Sequence, residues 1–177
     1  GFDVNIGGYG GGGPGSYHGK YKYSAAWRSR NNHDWDVPGL EKYHETEVFL
    51  TEAITLEMKK AITDSIRGKK PFFSYMSHYA VHAPYEVDDR FKANYPQLKG
   101  HALAFATLVE GMDKSLGDLV RHLEESGVAE ETLIIFFSDN GSTFHANAPY
   151  RDKKGSRHEG GLRVPLIVSW AKPNSDH

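Results

Sequence analysis

The apolar run TLIIFFS at residues 132–138 is long and hydrophobic enough to form a buried β-strand. Directly after it come Asp139, Asn140 and Gly141. A charged side chain at the end of a buried strand costs free energy unless it is paired or binds a metal ion. The order of residues therefore predicts a strand that brings a carboxylate and a carboxamide to the edge of a sheet.

Two stretches before this strand have the apolar periodicity of amphipathic helices. In residues 43–67 apolar side chains recur every four positions and Gly68 follows as a stop signal, and a second such pattern covers about residues 101–126. Two further apolar runs, at residues 71–77 and 164–170, predict buried strands. This alternation predicts an α/β fold, in which helices flank a mostly parallel sheet.

Residues 1–42 differ in composition from residues 43–177. The first stretch is polar and rich in glycine, with seven glycines in residues 7–15, and it predicts mobile loops. The second stretch carries the α/β core. No internal repeat or linker divides the chain, and it begins with Gly1 rather than methionine. We therefore expect residues 1–177 to form one domain, which is incomplete here.

In such sheets ligands bind beyond the carboxyl ends of the strands, which places the expected site at residues 77–82 and 139–141. Asp139 and Asn140 carry the hard oxygen donors that suit Ca²⁺ or, as the lesser candidate, Mg²⁺. Two residues cannot fill a calcium shell of about six to eight oxygens, so further ligands must come from elsewhere. Because Asn-Gly is also a favoured turn pair, an ordinary turn is the alternative interpretation.

Three histidines lie near the expected site. His78 and His82 stand four residues apart, but Pro84 follows them and disfavours the shared helical face of a zinc pair. We expect His78 to be a core histidine or one that supports the ligating residues from behind. For His82 a catalytic or anion-binding role and an ordinary loop position have equal support. His145, which follows the Asp-Asn pair, is a candidate substrate-binding residue, with an exposed loop histidine as the alternative.

Lys154 is the candidate anion-binding cation. It lies in the charged run at residues 151–154, and such runs are typical of solvated loops. Lys154 differs from the others because Gly155 follows at once and the EGG sequence at residues 159–161 leads back into a predicted strand. The loop should then return to the active edge of the sheet, where an ammonium group can bind a tetrahedral anion as a compact point charge.

Composition excludes several classes of protein. The formal net charge is −2, from 21 Lys and Arg against 23 Asp and Glu, which argues against a nucleic-acid binder driven by bulk charge. The chain has no cysteine, so neither disulfides nor a thiolate metal site can form within it. Its sequence contains no apolar run of membrane-spanning length.

Four segments together resemble the formylglycine-dependent sulfatases of the alkaline-phosphatase-like superfamily. They are GFD at residues 1–3, SHYAVHAP at 77–84, SDNG at 138–141, and KGSRHEGGLRVP at 154–165. They occur in the order of the family's motifs and span nearly the whole chain. The last two in tandem are fairly specific, and the resemblance implies the alkaline-phosphatase-like α/β fold.

The resemblance also implies roles for individual residues. Asp139 and Asn140 would ligate Ca²⁺, while His82 and Lys154 would hold the sulfate group and steady or protonate the leaving oxygen. In the family a hydrated formylglycine attacks sulfur, and the metal offsets charge on the nucleophile and on the sulfate oxygens. Such enzymes are periplasmic, secreted or lysosomal, and their partners are sulfated small molecules or glycans.

The chain also departs from the family pattern. It lacks the Cys/Ser-x-Pro-x-Arg motif of the nucleophile, the early aspartate pair that completes the metal shell, and the Lys-x-His segment expected before GFD. We interpret it as an internal fragment that carries about half of an active site. The isolated chain is therefore predicted to be inactive, although its parent would be a sulfuric ester hydrolase.

Three hypotheses about function follow. The first is a calcium-dependent sulfatase of glycan degradation, acting on sulfate esters of carbohydrates rather than simple aryl esters. The second is a metal-dependent phosphatase or phosphodiesterase of the same superfamily, which convergence of His78, His82 and Asp139 on one zinc would favour. The third is a non-catalytic glycan-binding piece, which exposed aromatic residues in a groove away from Asp139 would favour.

Overall fold

The computed structural model describes residues 1–143 and 147–173. The chain divides into two units, Gly1–His122 and Leu123–His177, which we call the first and second units. Short 3₁₀ turns at Gly19–Tyr21, Glu41–Tyr43, Lys92–Asn94 and Ala129–Glu131 accompany the longer elements described below. Within the described residues, we find no helix whose length and apolar character would let it cross a bilayer.

Helix α1 spans Leu50–Arg67 and helix α2 spans Gly100–Glu125. The predicted limits of α2 are confirmed to within one residue at each end, and α1 ends at the predicted position. Its start, predicted at residue 43, is wrong by seven residues. The physical reason is that the backbone before the helix pairs with another segment: a β-bridge joins Phe49 to His18, and the N–H of Leu50 donates to the carbonyl of Tyr17 at 2.8 Å.

The core of the first unit draws on the N-terminal stretch as well as on the helices. Nine buried side chains form it: Tyr17, Tyr23, Val37, Leu40, Phe49, Leu50, Ala53, Ile54 and Leu108. Four of these nine precede residue 43. The stretch predicted as loops therefore has little regular secondary structure but is anchored by buried aromatic and aliphatic side chains, each worth about 1.5–3 kcal/mol of burial free energy.

Polar contacts fix the relative direction of the two helices in the first unit. The hydroxyl groups of Thr55 and Ser115 lie 2.6 Å apart, and the hydroxyl of Thr63 lies 2.9 Å from Nε2 of His122. From the first of these contacts to the second, the residue numbers increase along both helices. Helices α1 and α2 therefore run parallel to each other.

Residues 71–77 do not form the predicted strand, and this prediction is wrong. The segment has no assigned strand hydrogen bonds, and Phe73 and Tyr75 are 81% and 58% exposed. Both rings instead stack on the ring of Phe2. The centroid of Phe2 lies 5.9 Å from that of Phe73 and 6.4 Å from that of Tyr75. A strand requires a neighbouring backbone to accept and donate hydrogen bonds, and no described segment supplies one here.

The second unit contains a two-stranded sheet. Strands β1 (Leu133–Phe137) and β2 (Leu166–Trp170) confirm the two predicted apolar strands. They pair antiparallel, with Ile135 opposite Val168, which differs from the parallel pairing expected of the sheet. Parallel neighbours need a long crossover, usually a helix. In the described part of the β1–β2 connection the only α-helix is the four-residue α3 (Glu159–Leu162), so the chain turns back instead.

His78 is half-buried within the first unit, which agrees in part with the core position predicted for it. Its Nδ1 is closed off from solvent and has no hydrogen-bond partner in the described part of the chain. Its Nε2 lies 3.5 Å from the hydroxyl oxygen of Ser115 on α2. Burial lowers the pKa of His78 from 6.5 to about 4, because the imidazolium form loses its hydration. The side chain is therefore neutral at neutral pH.

This burial predicts acid destabilisation. The unfolded chain binds a proton near pH 6.5 and the folded chain only near pH 4, so the stability contributed by neutral His78 is lost as pH falls through that window. As the pH falls from 6.5 to 4, we expect the effect of His78 to lower the free energy of unfolding by up to about 3 kcal/mol. Urea unfolding at a series of pH values should show a shallower acid decline for His78→Gln than for the wild type.

The exposed His33 provides the matched control, since His33→Gln removes a histidine without removing a buried one. This variant should keep the wild-type slope between pH 6.5 and pH 4. Parallel curves for His78→Gln and the wild type would contradict the assignment of the acid decline to His78.

Candidate active site

The residues after β1 lie where the sequence predicts them, at the end of a strand. Asp139 is exposed, Asn140 is half-buried and Gly141 is buried. The hydroxyl of Ser138 donates to the carbonyl of Asn140 at 3.0 Å, which bends the chain out of the strand. The side-chain oxygens of Asp139 and Asn140 accept no hydrogen bond from any described residue, so both remain available to a ligand.

The lysine loop returns to this strand end, as its sequence predicts. The N–H of Gly141 donates to the carbonyl of Gly161 at 2.9 Å, and the N–H of Lys154 donates to the carbonyl of Ser142 at 3.1 Å. The backbone of Lys154 therefore lies against the residue two positions beyond Asn140. The Lys154 side chain is exposed and forms no ion pair with the described residues.

Three glycines make this close approach possible. A Cβ atom on Gly141 would lie 1.8 Å from the carbonyl oxygen of Gly160, and one on Gly160 would lie 2.0 Å from that of Asp152. A Cβ on Gly161 would lie 2.2 Å from the carbonyl oxygen of Ser156. These distances are far below van der Waals contact with backbone atoms that cannot move aside. The glycines are thus required for the lysine loop to pack against the Asp-Asn turn.

The donor set suits a hard cation in kind but not in number. A carboxylate and a carboxamide are the oxygen ligands that Ca²⁺ accepts, yet they supply only two of about six to eight positions. Within residues 1–143 and 147–173 no group of three or more His, Asp or Glu side chains is arranged to hold a metal ion. Asp139 and Asn140 therefore fit as part of a calcium shell. His145, the other candidate near this turn, lies outside the described residues.

His82 belongs to the first unit and ends a turn, in which its N–H donates to the carbonyl of Tyr79 at 2.8 Å. The ring is exposed, and its Nδ1 lies 2.8 Å from the carbonyl oxygen of Ala83. Because a carbonyl can only accept, Nδ1 must carry the proton in this contact. The neutral ring then presents Nε2 as a proton acceptor to solvent or to a ligand.

The glycine-rich N-terminal loop packs against the His82 turn, which corrects its interpretation as a mobile surface loop. Gly13 and Gly15 are buried, and a Cβ on Gly13 would lie 2.6 Å from Nδ1 of His82. The hydroxyl of the fully buried Tyr17 lies 2.6 Å from the carbonyl of Tyr79 and 2.9 Å from that of His82. Burial raises the pKa of Tyr17 well above its ordinary value, so the hydroxyl stays protonated as a donor.

Sequence reasoning missed Glu86, which connects these segments. Its carboxylate accepts hydrogen bonds from the hydroxyl of Ser16 at 2.8 Å and from the N–H of Tyr17 at 2.7 Å, and it pairs with the guanidinium of Arg28. The partners lie 58 to 70 residues away in the chain. No local sequence pattern around Glu86 indicates these partners. Its position four residues after the candidate residue His82 is the signal that could have pointed to this segment.

The candidate residues are thus distributed over both units. The second unit brings Asp139, Asn140 and Lys154 to one turn through backbone hydrogen bonds, while His82 is held in the first unit by the N-terminal segment. Their side chains comprise two hard oxygen donors and one ammonium group in the second unit and one imidazole in the first unit. Such groups suit the binding of a metal ion and a tetrahedral anion.

The chain is similar to known proteins in sequence. The Sulfatase family model matches residues 3–176. A sulfatase from Formosa agariphila is 33% identical over 162 residues, which cover 81% of this chain and 28% of the relative. The N-acetylgalactosamine-6-sulfatase of Mus musculus is 28% identical over 174 residues, covering 90% of this chain and 32% of the relative.

A solved structure, that of Ps i-CgsB in complex with k-i-k-neocarrahexaose, matches with a TM-score of 0.69 at 30% identity. The match covers 87% of this chain and 36% of that one. The chain therefore spans about a third of the length of the proteins that it matches. Its α/β fold is that of the alkaline-phosphatase-like enzymes, of which it contains a part. On the match of the family model to nearly all of its residues, the chain belongs to the sulfatase family.

Proposed function

We propose that this chain is the central part of a calcium-dependent sulfatase that hydrolyses sulfate esters of carbohydrates. The observation that carries the proposal is the packing of the lysine loop against the Asp139-Asn140 turn, with the N–H of Lys154 3.1 Å from the carbonyl of Ser142. This packing places the backbone of Lys154 next to the turn that carries the two hard oxygen donors. A sulfate ester has the matching charge, and membership of the sulfatase family supports this choice of ester.

Each candidate residue then has a defined task. Lys154 binds sulfate oxygens as a point charge, and Asp139 and Asn140 supply two oxygen ligands for Ca²⁺. The calcium ion, when bound, offsets negative charge on the nucleophile and on the sulfate oxygens. His82 presents Nε2, which binds sulfate when protonated and can give its proton to the leaving oxygen. His145 is proposed to contact substrate.

The carbohydrate part of the proposal rests on the relatives. One is named for a sulfated N-acetylgalactosamine, and the solved structure of another protein holds a neocarrahexaose. The nucleophile is proposed to be a formylglycine elsewhere in the full-length protein, because no Cys/Ser-x-Pro-x-Arg motif occurs in the 177 residues. The additional calcium ligands are proposed to come from the same missing part of the site.

The first prediction concerns the 177-residue chain by itself. We expect it to release no inorganic sulfate from a sulfated carrageenan oligosaccharide above the buffer background, with or without added calcium, because it lacks the attacking group. The full-length enzyme serves as the positive control of the assay. Calcium-dependent release by the purified chain would show that the nucleophile has been assigned wrongly.

The second prediction separates Lys154 from its neighbour Lys153. In the full-length enzyme, Lys154→Met should lower kcat/KM for a sulfate ester by about 100-fold or more, since it removes a fixed positive group from the transition state. Lys153→Met removes an equal charge from the same exposed run and should change kcat/KM by no more than about twofold. Steady-state kinetics of both variants provides the comparison.

Equal losses in the two lysine variants would contradict the proposal, because they would indicate a general effect of loop charge. Circular dichroism should confirm that both variants keep the wild-type fold. This is expected, since the loop is anchored by backbone hydrogen bonds and by glycines rather than by either lysine side chain.

A further inference from the structure

The Asn140-Gly141 pair joins a reactive sequence to a tightly packed backbone. It is the one place in the 177 residues where glycine follows asparagine. The side chain of an asparagine can react with the backbone nitrogen of the next residue, and a following glycine favours this because it has no side chain to obstruct the approach. Asparagine is for such reasons among the thermally labile residues of proteins. The turn after β1 therefore contains a chemically labile pair.

The reaction is a deamidation that consumes water and releases ammonia. Hydroxide removes the proton from the Gly141 nitrogen, which then attacks Cγ of Asn140, and the new C–N bond closes a succinimide ring. The bond between Cγ and Nδ2 breaks, and Nδ2 takes up a proton from water and leaves as ammonia. Water then opens the ring at either carbonyl, which leaves an aspartate or an isoaspartate at position 140. No redox partner is needed.

In the folded second unit the nitrogen that would attack is engaged in a hydrogen bond. The N–H of Gly141 donates to the carbonyl of Gly161 at 2.9 Å. Hydroxide must remove this same proton before the nitrogen can attack, as it does in amide hydrogen exchange, and a hydrogen-bonded amide exchanges only after its bond opens. The lysine loop, which supplies the Gly161 carbonyl, therefore protects the Gly141 nitrogen from deprotonation.

The peptide groups that follow Gly141 are also held by hydrogen bonds. The N–H of Ser142 donates to Oδ1 of Asn147 at 3.0 Å. The carbonyl of Ser142 accepts from Nδ2 of Asn147 at 2.7 Å and from the N–H of Lys154 at 3.1 Å. Movement of the Gly141 backbone away from Gly161 therefore disturbs three further hydrogen bonds.

Close packing adds to this protection. A Cβ on Gly141 would lie 1.8 Å from the carbonyl oxygen of Gly160, so the loop leaves no room for a water-sized group on that side of Gly141. The N–H of Gly160 in turn donates to the carbonyl of Arg151 at 2.8 Å, which closes the loop on itself. Gly141 is buried, whereas Asn140 is only half-buried. Protection thus comes from the loop backbone rather than from burial of the reacting side chain.

We propose that Asn140 is a deamidation site that the packed lysine loop keeps unreactive, and that it reacts when the loop opens. Isoaspartate formation inserts one side-chain carbon into the main chain before the nitrogen of Gly141. The longer backbone displaces Gly141 from a position where not even a Cβ atom fits. Opening of the loop is thereby converted into a lasting loss of its packing. The inference goes beyond the proposed function and does not depend on it, since it concerns the backbone of the second unit alone.

The test compares the deamidation rate at position 140 in the folded full-length enzyme with that in a synthetic peptide of residues 135–143. Both are kept in the same mildly alkaline buffer with a chelator, so that no bound metal ion contributes to the protection. Tandem mass spectrometry after proteolysis measures the fraction of aspartate and isoaspartate at position 140 over time. We expect the enzyme to react at least about tenfold more slowly than the peptide, because the lysine loop must open first.

Two substitutions should open this packing in different ways. Gly160→Ala places a Cβ 2.0 Å from the carbonyl oxygen of Asp152, which forces the loop away from Gly141. Asn147→Ala removes the two side-chain hydrogen bonds to Ser142 and leaves every glycine in place. Each variant should deamidate at least about fivefold faster than the wild type. Faster hydrogen exchange at the Gly141 amide should accompany the increase.

Lys153→Ala and Gly117→Ala are the matched controls. The first removes an exposed side chain from the same loop. The second adds a methyl group to a glycine of α2, where no atom outside the neighbouring helix backbone lies within 4 Å of the added Cβ. Both should deamidate within about twofold of the wild type. Circular dichroism checks that each variant is folded, and Asn147→Ala keeps the test valid if Gly160→Ala unfolds.

Three outcomes would overturn the inference. They are a wild-type deamidation rate equal to that of the peptide, wild-type rates in both Gly160→Ala and Asn147→Ala, and an acceleration in the two controls as large as in those variants. The first would show that the loop does not protect Asn140, and the other two would assign the protection to something other than the packing at Gly141 and Ser142. Because hydrolysis of sulfate esters is not measured, failure of this inference can be told apart from failure of the proposed function.

Discussion

The first unit depends on one carboxylate, that of Glu86, which is largely withdrawn from water with a side chain only 12% exposed. A buried carboxylate is costly unless hydrogen bonds and opposite charge replace its hydration. Here a hydroxyl, a backbone N–H and a guanidinium supply them, and all three come from residues 16–28. Satisfying this charge therefore forces a glycine-rich N-terminal segment, with few backbone preferences of its own, to fold against the turn that carries His82.

In the second unit, backbone hydrogen bonds rather than charged side chains hold two segments together. The turn after β1 and the lysine loop are joined by N–H to carbonyl bonds, and the glycines at 141 and 160 leave no room for a Cβ atom between them. Within the described residues, the side chains of Asp139, Asn140 and Lys154 are consequently not needed to hold the turn and the loop together. They are free to serve a ligand, whereas His82 is positioned by a network that includes ion pairs.

Sequence reasoning succeeded where the deciding contacts are local. Apolar periodicity located α2 and both strands, and the order of polar residues after β1 located the Asp-Asn turn and the returning Lys154 loop. It failed where contacts with residues far away in the sequence determine the local structure. The start of α1 depends on pairing with residues 17 and 18, and the apolar residues 71–77 form no strand without a neighbouring backbone. Glu86 has no local signal because its partners lie 58 to 70 residues away.

Whether a group serves the reaction or the selection of the substrate depends on which part of the substrate it can contact. The lysine, the histidine and the two calcium ligands that we propose would recognise the sulfate group, which every sulfate ester shares, so they would not by themselves distinguish one sulfated glycan from another. Discrimination between substrates requires contacts that differ between them. In the described part of the first unit, the stacked Tyr21 and Trp27 lie next to Arg28, and Glu86, the partner of Arg28, also accepts from the backbone of Tyr17, whose hydroxyl reaches the His82 turn. The carboxylate that orders the N-terminal segment therefore also connects these aromatic residues to the turn that carries His82.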